Sequence, residues 1–156
     1  MNIDYYILSS HKVKINSEIR QKRKIIERPN SLQFMIGYDL KYKYPYDIYD
    51  KYIYHIKFKK NIFRDLYQKR RNNTHILIID CKRGDVNDLL RLYGVDSKID
   101  WLQLIENYSG IYFKNYNSTI NSLNMKWYID IQFDRGYIWD KISIQNMDNI
   151  IDPAVY

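Results

Sequence analysis

Two segments of the chain alternate apolar and polar side chains residue by residue, and this spacing limits the fold more than any other feature. The pattern runs through residues 52–60 and again through residues 127–133. Because a β-strand points successive side chains to opposite faces, each segment predicts a strand with one buried face. We expect the second strand to form a hairpin that turns at residues 134–136 and ends at residue 139.

Shorter patterns predict several of the other elements. Strands are expected at residues 3–8, 32–37 and 110–113. The uninterrupted apolar run at residues 75–79 is typical of a central strand that is covered on both faces. Phe63, Leu66 and Tyr67, with basic residues between them, predict a short helix that ends at residues 69–71.

Two longer helices are marked by residues that favour helix ends. Asp85 can begin the first helix, and Gly94 can end it in a left-handed turn. The second helix is expected to start at Ser97 or Asp100 and to end at Gly110. Both segments place apolar side chains along one helical face, so each helix is expected to pack against the sheet.

These patterns together predict an α+β fold, with a single domain over residues 1–156. The sheet is expected to be mixed or antiparallel, with about five to seven strands and three to four helices. A chain of this length buries roughly 70% of the surface that its unfolded form exposes, so a core can form without disulfide or metal. Five glycines and three prolines leave no long flexible linker.

Cysteine usage and hydropathy predict a soluble protein of a reducing, intracellular setting. Cys81 is the one cysteine of the chain, which excludes an intramolecular disulfide and a zinc site built from several thiolates. No apolar run approaches the roughly 18 residues that span a bilayer, and the first residues lack the pattern of a signal peptide. We therefore expect no membrane association and no bound metal.

The net charge of +7 favours a polyanionic partner, because Lys and Arg contacts to phosphate supply most of the non-specific affinity for nucleic acid. The basic segment at residues 12–28 is either a solvated helix or loop, or an arm that contacts phosphates. The candidate nucleic-acid-binding residues are Arg20, Lys22, Arg23, Lys24, Lys69, Arg70 and Arg71. Part of the charge can instead reflect codon usage, because the chain is rich in Ile, Asn, Lys and Tyr, whose codons are AT-rich.

Signatures of the common enzyme classes are absent from the sequence. It has no glycine-rich phosphate loop, zinc-protease motif, calcium-binding loop or hydrolase elbow. His11, His55 and His75 are far apart in sequence, and each is expected to be structural or exposed.

Three aspartates, Asp130, Asp134 and Asp140, lie near one another in the expected hairpin. They form either a polar strand face or a pair of carboxylates for acid and base chemistry. Each of the three tryptophans either packs in the core or stacks a base or an adenine ring.

Four blocks of the sequence, residues 28–34, 99–101, 107–111 and 127–140, occur in a familiar order. Together they resemble an uncharacterised family of bacterial, phage and large-DNA-virus proteins. The pattern of that family runs approximately as Pro-Arg-Gly-Leu-Trp, Asp-Gly-Ile-Glu-Ile, Trp-Tyr-Tyr-Gly-Trp-Asp and Ser-Gly-Cys-Ile-Trp. Its arrangement of strands is similar to that of mono-ADP-ribosyltransferases.

The resemblance implies a cleft that holds NAD as cofactor between aromatic side chains. A carboxylate in such a cleft orients the nicotinamide ribose as an oxocarbenium-like centre develops. The resemblance places His11 or Ser10 near the nucleotide and Phe34 in the wall of the pocket, with Trp127 and Gln132 as further ligand contacts.

The chain departs from the family pattern at both carboxylates. Tyr112 stands where the family has glutamate, and Gln132 stands where it has aspartate. Asp130 lies on the same predicted strand face as Gln132 and is the candidate catalytic replacement. Asn30 stands where the family has arginine, which removes a phosphate contact. The resemblance implies an accessory protein of a large DNA virus, in the host cytoplasm or the virion, with a nucleotide-binding fold.

Two other functions remain open from the residues themselves. The first is a basic nucleic-acid-binding module whose tyrosines stack bases. The second is a virion component or a partner of a host protein, with the tyrosine-rich residues 38–54 as its contact surface, since aromatic side chains are enriched at interface cores.

Overall fold

The computed structural model describes residues 3–13, 31–44, 51–68, 74–95, 98–116 and 134–152. Within these ranges the chain forms ten strands, three α-helices and one 3-10 turn. The strands are β1 (Tyr5–Ser9), β2 (Leu32–Ile36), β3 (Tyr52–Phe58), β4 (Phe63–Arg64), β5 (Ile76–Asp80), β6 (Gly94–Val95), β7 (Lys98–Ile99), β8 (Gly110–Lys114), β9 (Arg135–Ile138) and β10 (Ile144–Ile151). The helices are α1 (Gly37–Tyr42), α2 (Asp85–Tyr93) and α3 (Trp101–Asn107), and the 3-10 turn is Lys141–Ser143.

Eight of these strands form one mixed sheet in the order β10-β3-β1-β2-β9-β8-β5-β4. Neighbours from β10 to β8 are antiparallel, whereas β8, β5 and β4 are parallel. Strands β6 and β7 pair separately as a short ribbon. The α+β class is confirmed, but the sheet has more strands than the five to seven expected. The additional strands include β10, which has no apolar alternation, and β4, which is two residues long.

Strands β3 and β5 follow the patterns of apolar residues in their sequences. In β3, Tyr54 and Ile56 are buried on one face, while His55 is half-buried and Lys57 exposed on the other. Ile53, which shares the second face, is buried under helix α1. In β5, Ile76, Leu77 and Ile79 are each 0% exposed, because side chains cover both faces of this strand. The prediction of a doubly covered strand at this position is confirmed.

The parallel pair β5 and β8 is connected through α2, the β6–β7 ribbon and α3. Parallel strands need such a crossover, because the chain must return to the end at which the first strand began. Helix α2 buries Val86, Leu89 and Tyr93. Helix α3 begins at Asp100, whose carboxylate accepts a hydrogen bond from the backbone N–H of Gln103 at 3.3 Å.

Three local expectations were wrong. Residues 63–67, expected as part of a helix, begin with strand β4 and continue into a turn. The second long helix ends at Asn107 and not at Gly110, which is the first residue of β8. Gly94 has an extended backbone with a φ of −87°, so it does not form a left-handed turn. A Cβ at Gly94 would overlap the carbonyl oxygen of Leu90, so glycine is required there for a close approach of backbone.

The expected turn at residues 134–136 was also wrong, because Arg135 and Gly136 lie inside strand β9. Gly136 is opposite Phe34 of β2 and Tyr112 of β8, in the middle of the sheet. The first half of the expected hairpin, residues 127–133, lies outside the described residues.

Buried side chains pack on both faces of the curled sheet. On one face, α2 and α3 pack against β5, β8 and β9, and their core contains Leu89, Trp101, Leu104, Ile111 and Phe113. Helix α1 covers β1, β2 and β3 through Leu40. The opposite, concave face has its own apolar core, which draws on strands from both ends of the sheet. The sheet curls because these distant strands share one core.

Candidate functional site

Five aromatic rings fill the concave face of the sheet, and we call them the aromatic cluster: Tyr5, Phe34, Phe58, Phe63 and Tyr112. Phe34 stacks on Tyr112 with the ring centroids 5.4 Å apart and the planes at 22°. Tyr5 presents its edge to Phe34 at 5.8 Å and to Tyr112 at 6.1 Å. Offset and edge-to-face pairs of this kind add stability beyond the area that they bury. The cluster therefore closes the region where the resemblance implies a pocket.

The hydroxyl of Tyr112 lies near two carboxylates. Burial raises the pKa of Tyr112, and the negative charges of Asp134 and Asp39 raise it further. The phenol therefore stays protonated at neutral pH. A neutral phenol cannot supply the negative charge that a carboxylate would place beside an oxocarbenium-like centre.

Asp39 is a buried acid of helix α1, with only 3% of its surface exposed. Burial raises its pKa, while the ammonium group of Lys43, 3.5 Å away, lowers it. The nearby charge of Asp134 raises the pKa of Asp39 again. The net shift is upward, which is the direction that a general acid needs. No local signal in the sequence marks this aspartate as buried.

Asp134 has a different role, because backbone groups engage both of its oxygens. One oxygen accepts a hydrogen bond from the N–H of Tyr116 at 2.7 Å, and the other accepts one from the N–H of Asn115 at 3.1 Å. Asn115 has a left-handed backbone with a φ of 54°. The carboxylate thus holds the turn that follows β8. Of the other two aspartates of the expected hairpin, Asp140 accepts the N–H of Ile142 in the 3-10 turn, and Asp130 lies outside the described residues.

The three described residues of the implied NAD site are not equally accessible. Ser10 and His11 are exposed beyond the end of β1, where the Ser9 hydroxyl donates to the His11 carbonyl at 2.7 Å. Phe34 is 0% exposed inside the aromatic cluster, so its ring offers no free surface to a ligand. The other residues of that site, Trp127 and Gln132, lie outside the described residues.

The candidate nucleic-acid-binding residues also lie outside the described ranges. They are Arg20, Lys22, Arg23, Lys24, Lys69, Arg70 and Arg71. The described part of the basic segment is limited to Lys12, which is exposed, and Val13, whose N–H donates to the hydroxyl of Tyr54 at 2.9 Å.

Trp101 and Trp139 are core residues, with 2% and 3% of their surfaces exposed. Their rings meet edge to face at 6.3 Å, and the indole N–H of Trp139 donates to the carbonyl of Tyr108 at 2.7 Å. Rings buried to this extent have no face left on which a base could stack. For these two residues the core alternative is the one that the structure shows.

A polar network, which we call the aspartate clasp, joins the turn after β4 to the start of α2. Asp85 is 0% exposed, and its two oxygens accept hydrogen bonds from the Arg83 guanidinium at 2.9 and 2.7 Å. It also accepts from the hydroxyl of Tyr67 at 3.2 Å and from the N–H of Asp80 at 2.9 Å. The single hydrogen of the Tyr67 hydroxyl is shared between Asp85 and the closer carboxylate of Asp88. Four donors satisfy the buried carboxylate, so the clasp is a structural element.

Sequence reasoning missed the clasp, because its members are separated by up to 21 residues and no short motif links them. The neighbouring Cys81 is partly buried, and burial, followed by the charges of Asp134, Asp80 and Asp85, raises its pKa to about 12. A thiol with that pKa is inert at neutral pH.

The histidines do not converge. His55 lies 3.1 Å from the carboxylate of Asp4, and His11 is exposed at the other end of β1. Burial, together with the charge of Arg64, lowers the pKa of His75. Within the described ranges, no three His, Cys, Asp or Glu side chains are arranged to hold a metal ion. None of the described helices has the length and apolarity needed to cross a bilayer.

Comparison of the chain with protein-family models, with curated proteins and with solved structures finds no match.

Proposed function

We propose that the chain is a nucleotide-binding protein of ADP-ribosyltransferase-like ancestry, which binds NAD and does not transfer ADP-ribose. As an accessory protein of a large DNA virus, it would use the ligand as a signal or as a structural cofactor. The observation that carries this proposal is the environment of Tyr112, at the position where the family resemblance expects a carboxylate.

The blocks that carry the resemblance are distant in sequence and adjacent in the sheet. Phe34 of the first block pairs with Gly136 of the last, and Gly110 of the third block pairs with Ile138 of the last. Trp101 of the second block contacts Trp139 of the last. Residues that keep a common pattern because they build one fold are expected to meet in this way. Their adjacency supports descent from the same scaffold.

The absence of transfer chemistry follows from charge. The Tyr112 ring is stacked on Phe34 in the aromatic cluster, and its pKa is raised, so the site holds a neutral phenol. The two carboxylates near that phenol are already engaged, Asp39 by Lys43 and Asp134 by two backbone N–H groups. Neither of these two carboxylates is free to face a ribose cation, and Asp130, the candidate replacement, lies outside the described residues.

Ligand binding is proposed at the exposed end of β1. Ser10 and His11 offer a hydroxyl and an imidazole at the edge of the concave face, and both are accessible. The resemblance adds Trp127, Gln132 and Asp130 as contacts from the last block. Phe34 then supports this edge from within the cluster and does not touch the ligand.

Calorimetric titration with NAD tests the proposal. We expect binding at millimolar ligand that weakens at least about fivefold in H11A, W127A and D130A, because each change removes one contact. His55→Ala is the matched control, because His55 is partly exposed at the opposite end of the strands and should not affect NAD binding. An absence of heat at millimolar NAD, or equal losses in H11A and H55A, would refute the proposed site.

A second candidate function is nucleic-acid binding, and the placement of strand ends favours it. Leu32, Ile138, Gly110 and Ile76 lie in one row across the sheet, at the ends of their strands. Residues 31 and 74, which follow the two basic stretches of the sequence, therefore lie at the same edge. From β2 to β5 there are three strand spacings of about 4.8 Å, or roughly 14 Å.

This candidate is tested by the salt dependence of binding to an oligonucleotide. Each lost phosphate contact should reduce the slope of log K against log salt by about 1. We therefore expect the triple variants K22A/R23A/K24A and K69A/R70A/R71A each to lower the slope by up to about 3. A slope near zero for the wild-type protein would argue against phosphate binding altogether.

A further inference from the structure

Helix α1 presents two tyrosines to solvent. Tyr38 is 61% exposed and Tyr42 is 64% exposed, although both are large aromatic side chains. They are one helical turn apart, so their rings meet, with the centroids separated by 4.9 Å and the planes at 46°. The two rings form one continuous aromatic surface, which we call the tyrosine platform.

Lysines surround the tyrosine platform. The ammonium of Lys41 lies 5.2 Å from the centre of the Tyr42 ring, and that of Lys43 lies 5.9 Å from the centre of the Tyr38 ring. The acid of the same helix, Asp39, is 3% exposed and faces the protein interior. Asp39 pairs with Lys43 at 3.5 Å, so the outer face of α1 is aromatic, with the ammonium group of Lys41 beside the rings and no exposed carboxylate of its own.

This combination of groups fits a nucleotide chain better than it fits a protein. Aromatic faces stack bases of any sequence, and ammonium groups neutralise the adjoining phosphates. Protein interfaces are enriched in tyrosine but depleted in lysine, so the two lysines beside the rings disfavour a protein partner. Cation–π contacts at exposed sites are weak and lysine is flexible, so a base can displace either ammonium from its ring.

We propose that the tyrosine platform of α1 is a base-stacking site for single-stranded nucleic acid. The strand must be single, because bases inside a duplex are already stacked on each other and hide their faces. The inference rests on the nucleic-acid-binding candidate above and adds a second contact region to it.

The platform lies at the opposite end of the sheet from the flanks of the basic segments. Helix α1 follows the end of β2, and the N–H of Gly37 donates to the carbonyl of Asp4, just before β1 begins. Residue 31 lies at the other end of β2, beside the end of β1. A five-residue strand is about 17 Å long, so one oligonucleotide that reaches both regions must run along the sheet.

Fluorescence anisotropy with labelled 12-nucleotide oligo-dT, oligo-U and a matched DNA duplex tests the platform. Removing one base–aromatic stack weakens binding by roughly 5- to 150-fold. We therefore expect Y38A/Y42A to bind either single strand at least about tenfold more weakly, while Y38F/Y42F keeps wild-type affinity because phenylalanine also stacks. K41A should weaken binding and lower its salt slope, whereas Y38A/Y42A should leave the slope unchanged.

Ile150→Ala serves as the matched control, because Ile150 is a 48% exposed apolar side chain on the edge strand β10. Thermal melting confirms that each variant is folded. Wild-type affinity of Y38A/Y42A for single strands would overturn the platform and leave phosphate binding by the basic segments intact. Equal affinity of the wild-type protein for duplex and single strand would also overturn it, because stacking on the platform requires free base faces. An absence of any oligonucleotide binding would overturn both this inference and the nucleic-acid candidate.

Discussion

Replacing Gly136 with alanine should force a methyl group into the ring of Phe34. A Cβ built at Gly136 lies 2.9 Å from Cδ1 of Phe34 and closer still to its Cζ and Cε1 atoms. The ring cannot move aside, because it is 0% exposed and in contact with three other rings of the aromatic cluster. The backbone cannot move easily either, since Phe34 and Gly136 are paired across strands β2 and β9.

Overpacking of this kind costs about 1–3 kcal/mol, and a rigid ring between two paired strands places the cost near 3 kcal/mol. That is a large part of the roughly 5–15 kcal/mol that keeps a domain folded. Phe34→Ala alone should cost about 3–5 kcal/mol, because it leaves a cavity in the cluster. In F34A/G136A the new methyl group occupies part of that cavity. The double variant should therefore lose about 2 kcal/mol less free energy of unfolding than the two single variants lose in total.

Urea unfolding followed by far-ultraviolet circular dichroism measures these free energies for the wild type, both single variants and the double variant. The slope against urea must stay constant, so that changes in midpoint report changes in stability. Additivity within about 0.5 kcal/mol would mean that the two positions do not touch, and would refute the packing of β9 against Phe34.

Three further predictions concern the aspartate clasp and its surroundings. The pKa of Tyr67 is raised to about 12 by its hydrogen bond to Asp88, by burial and by the charge of Asp85. In urea titrations, Y67F should therefore be less stable than the wild type below pH 10, and this difference should vanish as pH rises toward 12. Burial acts to raise the pKa of Asp85, but hydrogen bonds, first that from Arg83, lower it overall. D85A should therefore reduce the free energy of unfolding by roughly 3–5 kcal/mol at pH 7. The wild type should lose this advantage over D85A as pH falls below about 4. Burial raises the pKa of Cys81 to about 12, so iodoacetamide should alkylate Cys81 at pH 8 more than about 100-fold more slowly than a free thiol. An alkylation rate near that of free cysteine would contradict this prediction.

Elements with strong local signals were predictable from the sequence. The alternation that forms β3 and the apolar run that forms β5 depend only on which faces are buried. Helix α2 and the cap at Asp100 depend on residues within one turn of each other. Such patterns act over a few residues, so a single sequence contains them in full.

Other elements depend on partners that the sequence does not show. Strand β10 has no apolar alternation and exists because it pairs with β3, with two irregularities in its register. Gly136 follows an aspartate and an arginine and therefore resembles a turn residue, yet its place is set by the ring of Phe34, about a hundred residues earlier. Helix α1 lies in a tyrosine-rich stretch with no helical cap.

The candidate site was predictable only in part. Position 112 was identified as a departure from the family pattern, but its stacking on Phe34 requires the register of β2, β9 and β8. The burial of Asp39 and the fourfold satisfaction of Asp85 are likewise properties of the assembled fold. Long-range contacts of this kind have no counterpart in residue spacing.

The most direct test of the proposed function is to measure bound NAD and released nicotinamide in the same sample of the wild-type protein. The neutral phenol of Tyr112 at the position of the family's carboxylate predicts NAD binding with nicotinamide release no faster than in buffer alone. Release of nicotinamide in proportion to the protein concentration would contradict the account, because the protein would then catalyse the transfer that the proposal excludes.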